Sequence, residues 1–580
     1  MKKIISVILA TLIICTATAC SSNNESSEDE SDTSSTAIDP AKLPSKIDLR
    51  NYNGSNYVTA VKRQAYGDCW SFGISAAAES SYLYVNDLGT PSTETNDEGL
   101  FKDNNNANFS ERYLSWYVYH SITSEDVTKG KIPESQVGEG YDTSVSDSRN
   151  PNSAFLMGGA SFSGMNMFAA GFGPVDESTE VNGENPYAYS DKNILNNEDL
   201  EDFSPSGDWS IPINAQYRNA PTKTSLRNGN RLPCPASKDS DGNYVFNEDG
   251  VTAIKSEIAQ GHAVGITALV FGRMNYENWA AYTDTDSRNH VITIVGYDDN
   301  YPKENFEVEK DGTPDPNSIP PTDGAFIIKD SSGEYGGIDG KGTYYISYHD
   351  HTLLDPISFD FDKTDSIKYS QVNYDQYDFL FVGWCANDDK SSETKTTNVF
   401  TAEEDEYLTQ ISYKTNQFNS NVHYSIYKGI TDGTPDSGTL LEEGDFSHPY
   451  AGYHKIDLKD EYILKQGEKY SIVLTMTYSP DDSSKMYTYV IPYATNIYPY
   501  GGSVETESKV VGIINKGESY LFSDGKWTDL TEIKDDLAKI ALEQDQARPV
   551  PENFKALSID RITVDNFAIK GISVSADNHK

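Results

Sequence analysis

Cysteine is scarce in this chain, five residues in 580. Past Cys20 only Cys69, Cys234 and Cys385 remain, too few for the framework of bridges that staples small exported domains. Cys69 therefore has no evident structural duty, which leaves chemistry open to it. Basic residues are also short: 46 Lys and Arg stand against 89 Asp and Glu, a formal net charge of −43. Nucleic acids and anionic membrane surfaces are gripped by clustered Lys and Arg, so neither is an expected partner. No apolar run approaches the roughly 20 residues of a lasting membrane span. His349 and His351 have no carboxylate or cysteine at ligand spacing. In Asp239-Ser240-Asp241-Gly242-Asn243 the glycine is misplaced for a calcium loop, and a hairpin turn is the better account. No metal and no cofactor are expected.

What is present begins with an export signal. Lys2 and Lys3 are followed by the apolar run Ile4 to Ile14 and the small residues Ala17-Thr18-Ala19. Cys20 comes next, then a Ser, Glu, Asp and Asn tract with almost nothing to bury. Signal, cysteine and polar tether together resemble a bacterial lipoprotein. That resemblance implies removal of residues 1–19, a lipid on Cys20, and a tether over residues 20–42 on the outer face of the membrane. Simple secretion after the same cleavage is the alternative. The usual large aliphatic residue is replaced by Ala17.

The remaining length exceeds one core, so two folded domains are expected. Cys69 to about Asn86 has helical spacing with Asp68 at the N-cap position, a second helix restarts at Phe109 to Leu114, and a third covers Asp249 to Gln260. Strands are expected over Ala263–Phe271, Val291–Tyr297, Ala325–Lys329 and Thr343–Tyr348, with an acidic, Pro-rich insertion from Asp299 to Asp323. From about Ser366 the pattern changes to a period of two, as in Val422-Tyr424-Ile426 and Tyr470-Ile472-Leu474-Met476. Glycine- and proline-rich turns separate these runs, which predicts an antiparallel β-sandwich closed by Asn566 to Ile572.

The chemistry-bearing residues are Cys69 at a helix start, where the helix dipole favours a thiolate, and a histidine able to pair with it. The run Gln64-Ala65-Tyr66-Gly67-Asp68-Cys69-Trp70-Ser71-Phe72 resembles the active-site segment of papain-like cysteine peptidases. The order of later segments follows that family from about residue 43 to 352: Leu43-Pro44, Phe109 to Leu114, Gly158-Gly159, Gly173-Pro174-Val175, Asn185-Pro186-Tyr187 and Asn289-His290-Val291. The resemblance implies an α+β, two-lobed peptidase domain at 43–352 acting on protein or peptide substrates. It assigns Cys69 as nucleophile, His290 as general base and acid, Asp330 as the group orienting His290, and Gln64 as an oxyanion donor. It also implies substrate contacts at Gly158, Gly159, Ala160 and Val291. His262, in a superficially similar context, is expected to be a turn residue.

Three departures stand out. Asp330 occupies the position of the family's asparagine, Ser332 that of its tryptophan, and one residue is missing between Gln64 and Cys69. Loss of the indole is expected to admit water beside Asp330. The segments Tyr374 to Trp384, Asn398 to Ala402 and Gly452-Tyr453-His454 resemble the lectin-like domain that follows papain-like domains in clostridial surface proteins. That likeness implies a lectin-like β-sandwich at 366–576 and cell-surface carbohydrate as a second partner. The leading expectation is a surface cysteine peptidase working through an acyl-enzyme. Its rivals are an inactive papain-like adhesin or glycan-binding protein, and an enzyme transferring the acyl group to an amine.

Overall fold

In a computed structural model, the residues described are 40–93, 102–128, 131–142, 152–189, 208–239, 242–269, 273–285, 289–310, 313–333, 336–364, 371–372, 392–431, 433–480, 484–495, 509–546, 559–577 and 579. The export signal, Cys20, the tether up to residue 39, Tyr374 to Trp384 and Cys385 lie outside them. No helix among the described residues is long and apolar enough to cross a membrane.

The N-terminal lobe is built round the helix Cys69–Val85, with Glu111–Val118 and Ser161–Ala169 against it. The first of these is buried nearly all round, as a helix at the centre of a lobe should be, and residues such as Trp70, Ile74, Ala77 and Leu83 are closed off from solvent. Ser110 caps the second helix by accepting from the Tyr113 amide. The expected cap at Asp68 does not form. Its side chain makes no cap hydrogen bond, and the Ser71 amide donates to the Asp68 carbonyl instead, at 2.9 Å.

The second lobe is an antiparallel sheet in which Val264–Ala268, His290–Asp298, Ala325–Lys329 and Thr343–Ser347 are successive neighbours. Their Val, Ile and Phe residues face a core shared with the helix Glu248–Ala259. His290 starts its strand opposite Ala268, and Thr293 lies opposite Lys329. Because the strands run antiparallel, the start of one and the end of the other meet at the same edge, which brings His290 and Asp330 together.

Beyond Leu354–Phe361 that sheet continues without a break. The strand Leu226–Arg231 pairs with it on one side and with Ala451–Leu464 on the other; Glu406–Thr415 and Ile569–Ser575 follow. A second sheet, containing Lys395–Thr401, Ser420–Lys428 and Lys469–Tyr478, completes the sandwich. Alternation in the sequence becomes alternation of faces: Tyr470, Ile472 and Leu474 are wholly buried in its core. Two elements carry no such signal. The bridging strand Leu226–Arg231 is polar, and its buried Asn228 and Asn230 pair with Asp360 and Ser358. The helix Leu530–Gln546 packs Leu537 and Ala541 into the sandwich core.

Polar contacts seal the junction of the two folded parts. Lys414 donates to Asn166 at 2.9 Å, and Arg227 pairs with Asp362 at 2.7 Å and Asp457 at 3.0 Å. Buried there too are His448 and His454, stacked 3.6 Å apart, with His454 reaching Asn228. Burial pushes His448 down to about 4, so both rings stay neutral at physiological pH.

Candidate active site

Cys69 is the first residue of its helix, half-buried and free of any disulfide, at the end where unpaired amides and the helix dipole favour negative charge. His290 faces it across the cleft between the lobes. The ring nitrogen Nε2 lies 2.8 Å from Asp330 Oδ1, which leaves Nδ1 for the thiol of Cys69, within hydrogen-bonding reach. Burial alone would lower the His290 pKa. The hydrogen bonds to Asp330 and Cys69, with the charges of both, overcome it and push the imidazole up to about 10. For Asp330 burial acts upwards, and the hydrogen bond and charge of His290 more than offset it, holding the carboxyl below its usual range.

The Asp330 carboxylate is held at both oxygens. Oδ1 takes His290, and Oδ2 accepts from the Ser332 hydroxyl at 2.7 Å. The expected entry of water is not found, since the Asp330 side chain is only 4% exposed. The reason is local: the segment 331–333 folds back on residues 62–64 through Gln64 N–H to the Ser331 carbonyl and Gly333 N–H to the Lys62 carbonyl. The carboxylate is thus kept from solvent even though Ser332 stands where the family has tryptophan. An imidazolium held to about pH 10 implies a test. If His290 must be protonated, activity is retained through neutrality and falls as pH rises through about 10. Asp330→Asn weakens the hydrogen bond that raises the ring most and removes the charge behind it, so the alkaline fall in kcat/KM moves to lower pH; a profile measured from pH 6 to 11 that does not move contradicts the pairing.

Gln64 is pinned from two sides. Its Oε1 accepts from the Ser331 hydroxyl at 2.6 Å, and its Nε2 donates to the Tyr66 carbonyl at 2.8 Å. With one residue fewer in the loop, the amide is turned back on its own turn, and one N–H remains for another acceptor. Gly158, Gly159 and Ala160 form a half-exposed to exposed edge leading into the helix Ser161–Ala169. A Cβ on Gly159 would sit 2.5 Å from the Trp70 ring, so the close approach there requires glycine. Val291, expected in a substrate pocket, is 3% exposed and packs on Gly73 of the helix instead. Strand alternation is the reason: His290 faces the cleft, so the next residue faces the opposite way. His262 caps the strand approach with Nδ1 on Glu257 at 3.0 Å, well inside the fold.

Behind the site lies a charged cluster that sequence reasoning did not foresee. Lys62 reaches Glu111 at 2.8 Å, Glu177 at 3.2 Å, Glu79 at 3.5 Å and the Phe109 carbonyl at 2.9 Å. Lys329 reaches Thr59 at 2.6 Å and lies 3.9 Å from Glu79. Burial works against a charged Lys62, yet the three carboxylates hold it above the ordinary ammonium range. Lys62 stands two residues before Gln64, Lys329 directly before Asp330, and Glu79 on the helix of Cys69. The cluster therefore ties together the segments that present Gln64, Cys69 and Asp330. A signal was available in the sequence, a lysine just ahead of each of two site residues, but charge alone does not say it is buried. Among the described residues, no three His, Cys, Asp or Glu side chains are gathered to hold a metal.

Residues 376–541 match the family described as lectin-like domain. Two solved structures of Cwp84 share the architecture. One, described as a clostridial cysteine protease after propeptide cleavage, superposes with a TM-score of 0.56 at 18% identity, covering 92% of this chain and all of that one. The other holds the cysteine protease and lectin-like domains of Cwp84, a surface layer associated protein of Clostridium difficile. It gives 0.55 at 18% identity, over 92% and 90% of the two chains. The chain has the papain-like fold followed by a lectin-like β-sandwich. Curated protein sequences give no match. At this identity the likeness establishes the architecture, α+β with two lobes and a sandwich, and the chemistry rests on the residues themselves.

Proposed function

We propose that this chain is an exported cysteine peptidase that hydrolyses peptide bonds through an acyl-enzyme on Cys69. The observation that carries the proposal is the line Cys69–His290–Asp330, with its nitrogen-to-carboxylate contact of 2.8 Å. The thiolate adds to the substrate carbonyl carbon and forms the C–S bond. The negative oxygen is held by the Cys69 amide and the remaining N–H of Gln64. The His290 imidazolium gives its proton to the leaving amine as the C–N bond breaks. Water then attacks the thioester, His290 takes its proton, and release of the acid restores the thiolate and imidazolium. Asp330 keeps the ring oriented throughout. Gly158 to Ala160 offer an open backbone edge on which a substrate strand can pair.

The lectin-like domain supports binding of cell-surface carbohydrate, and the export signal with Cys20 supports attachment to the outer face of the membrane by a lipid. A specific observation favours a second reading, an adhesin without activity: the Gln64 amide already donates to Tyr66, and so one oxyanion donor is partly engaged. The two readings separate in one assay. The purified chain is incubated with fluorescently labelled casein and with a mixed-sequence fluorogenic peptide library, beside Cys69→Ala. Cleavage by the first and not the second is the expected result. Equal, background release from both would contradict the peptidase and favour the adhesin.

A further inference from the structure

The carboxyl next to the nucleophile is not used by the mechanism. Asp68 immediately precedes Cys69, is 1% exposed, and neither caps the helix nor pairs with a Lys, Arg or His among the described residues. Instead it points into the lobe, where it accepts from the Tyr189 hydroxyl at 3.3 Å and from Ser115 at 3.4 Å. The same Tyr189 oxygen accepts the Ala65 amide at 2.8 Å. Tyr189 is fully buried, and its ring packs edge-on against Phe72 and Trp209, each 4.8 Å away. One tyrosine hydroxyl therefore joins the residue after Gln64 to the residue before Cys69. These are the two ends of the loop that is a residue short, and each end carries one of the oxyanion donors.

We propose that Asp68 and Tyr189 are positioning residues that brace the Gln64–Cys69 loop and so set the spacing of its two oxyanion donors. The proposal rests on the peptidase function of Cys69 and goes past it by naming what compensates the shortened loop. A loop of four residues between two donors, with no such tie, samples several conformations; a displacement of about 1 Å at a reacting centre lowers rate about 10²-fold. The brace matters where charge develops on the substrate oxygen. It matters little for alkylation of the thiol, which develops no oxyanion.

Burial pushes the Asp68 carboxyl up to about 7, so its charge changes in the neutral range. The titratable groups facing it are Tyr66 on its own loop, Tyr119 beyond the helix Glu111–Val118, and Tyr189; Arg112 acts on Tyr66 and Glu111 on Tyr189. The carboxylate form binds the Tyr189 hydroxyl more strongly than the acid form does, which makes the brace tighter above neutrality.

Tyr189→Phe tests this directly, since it removes a single oxygen and keeps the ring. Steady-state hydrolysis of a fluorogenic peptide gives kcat and KM, and iodoacetamide gives the alkylation rate of Cys69. The expected result is a fall in kcat of about 10- to 100-fold, with KM and alkylation within about threefold of the parent. Unchanged kcat overturns the brace, and so does an equal fall in kcat and alkylation, which would mark a merely structural role. Should Tyr189→Phe fail to fold, Asp68→Asn decides: kcat must lose a step near pH 7 that the parent shows, and retention of that step overturns the proposal. If the parent itself neither hydrolyses peptide nor loses alkylation with His290→Ala, the peptidase function has failed, and the brace falls with it.

Discussion

His290→Ala is expected to lower kcat by at least about 10³-fold with KM little changed. Two duties are lost at once. The thiol loses the cation that favours its ionised form, and the leaving amine loses its proton donor. Neither duty can pass to a neighbour. The Ser331 hydroxyl lies 3.4 Å from His290 Nε2 and is committed to Gln64. His262 is held by Glu257 behind the strand, away from the cleft. Steady-state hydrolysis of the best peptide from the library checks the figure. A loss below about tenfold would mean that His290 is not the proton carrier.

Lys62→Met is expected to have the largest effect on stability. The substitution preserves length and apolar stem while leaving Glu111 and Glu177 without their cation and Glu79 with only the more distant Lys329. Breaking a buried charge set by removing one partner costs about 3–5 kcal/mol, because the remaining charges stay desolvated. That is a large part of the stability of an ordinary domain. Urea unfolding followed by tyrosine and tryptophan fluorescence measures it, with Lys465→Met as the control. Lys465 also has an acidic partner, Asp405, at 2.8 Å, yet both side chains are about half exposed and solvent screens them. The control is expected to unfold with the parent. Equal curves for all three proteins would mean that the Lys62 cluster is hydrated and slack. Activity should fall as well in Lys62→Met, since the cluster holds the segments of Gln64, Cys69 and Asp330.

The contrast between what could and could not be anticipated has a physical basis. Cys69 at a helix start, the strands that follow His290, and the buried alternation of Tyr470, Ile472 and Leu474 are written in local pattern, and the fold forms them in place. The polar strand Leu226–Arg231 has no pattern of its own. It is a strand because Leu354–Phe361 and Ala451–Leu464 both pair with it, and its asparagines are buried because Asp360, Ser358 and His454 are there to meet them. The site divides in the same way. The meeting of Cys69, His290 and Asp330 follows from an ordered run of motifs. The inward turn of Val291 follows from strand alternation. The engagement of Gln64 with Tyr66, the hold of Ser332 on Asp330, and the Tyr189 tie to Asp68 depend on distances no linear pattern encodes.

The central claim, a thiol made reactive by its histidine, is tested most directly by the rate at which iodoacetamide alkylates Cys69 at pH 6, followed by intact-mass spectrometry. An ordinary thiol is about 0.3% ionised at that pH. Pairing with a protonated His290 should make the parent react about 10²-fold faster than His290→Ala. Equal rates for the two proteins would contradict the account at its root.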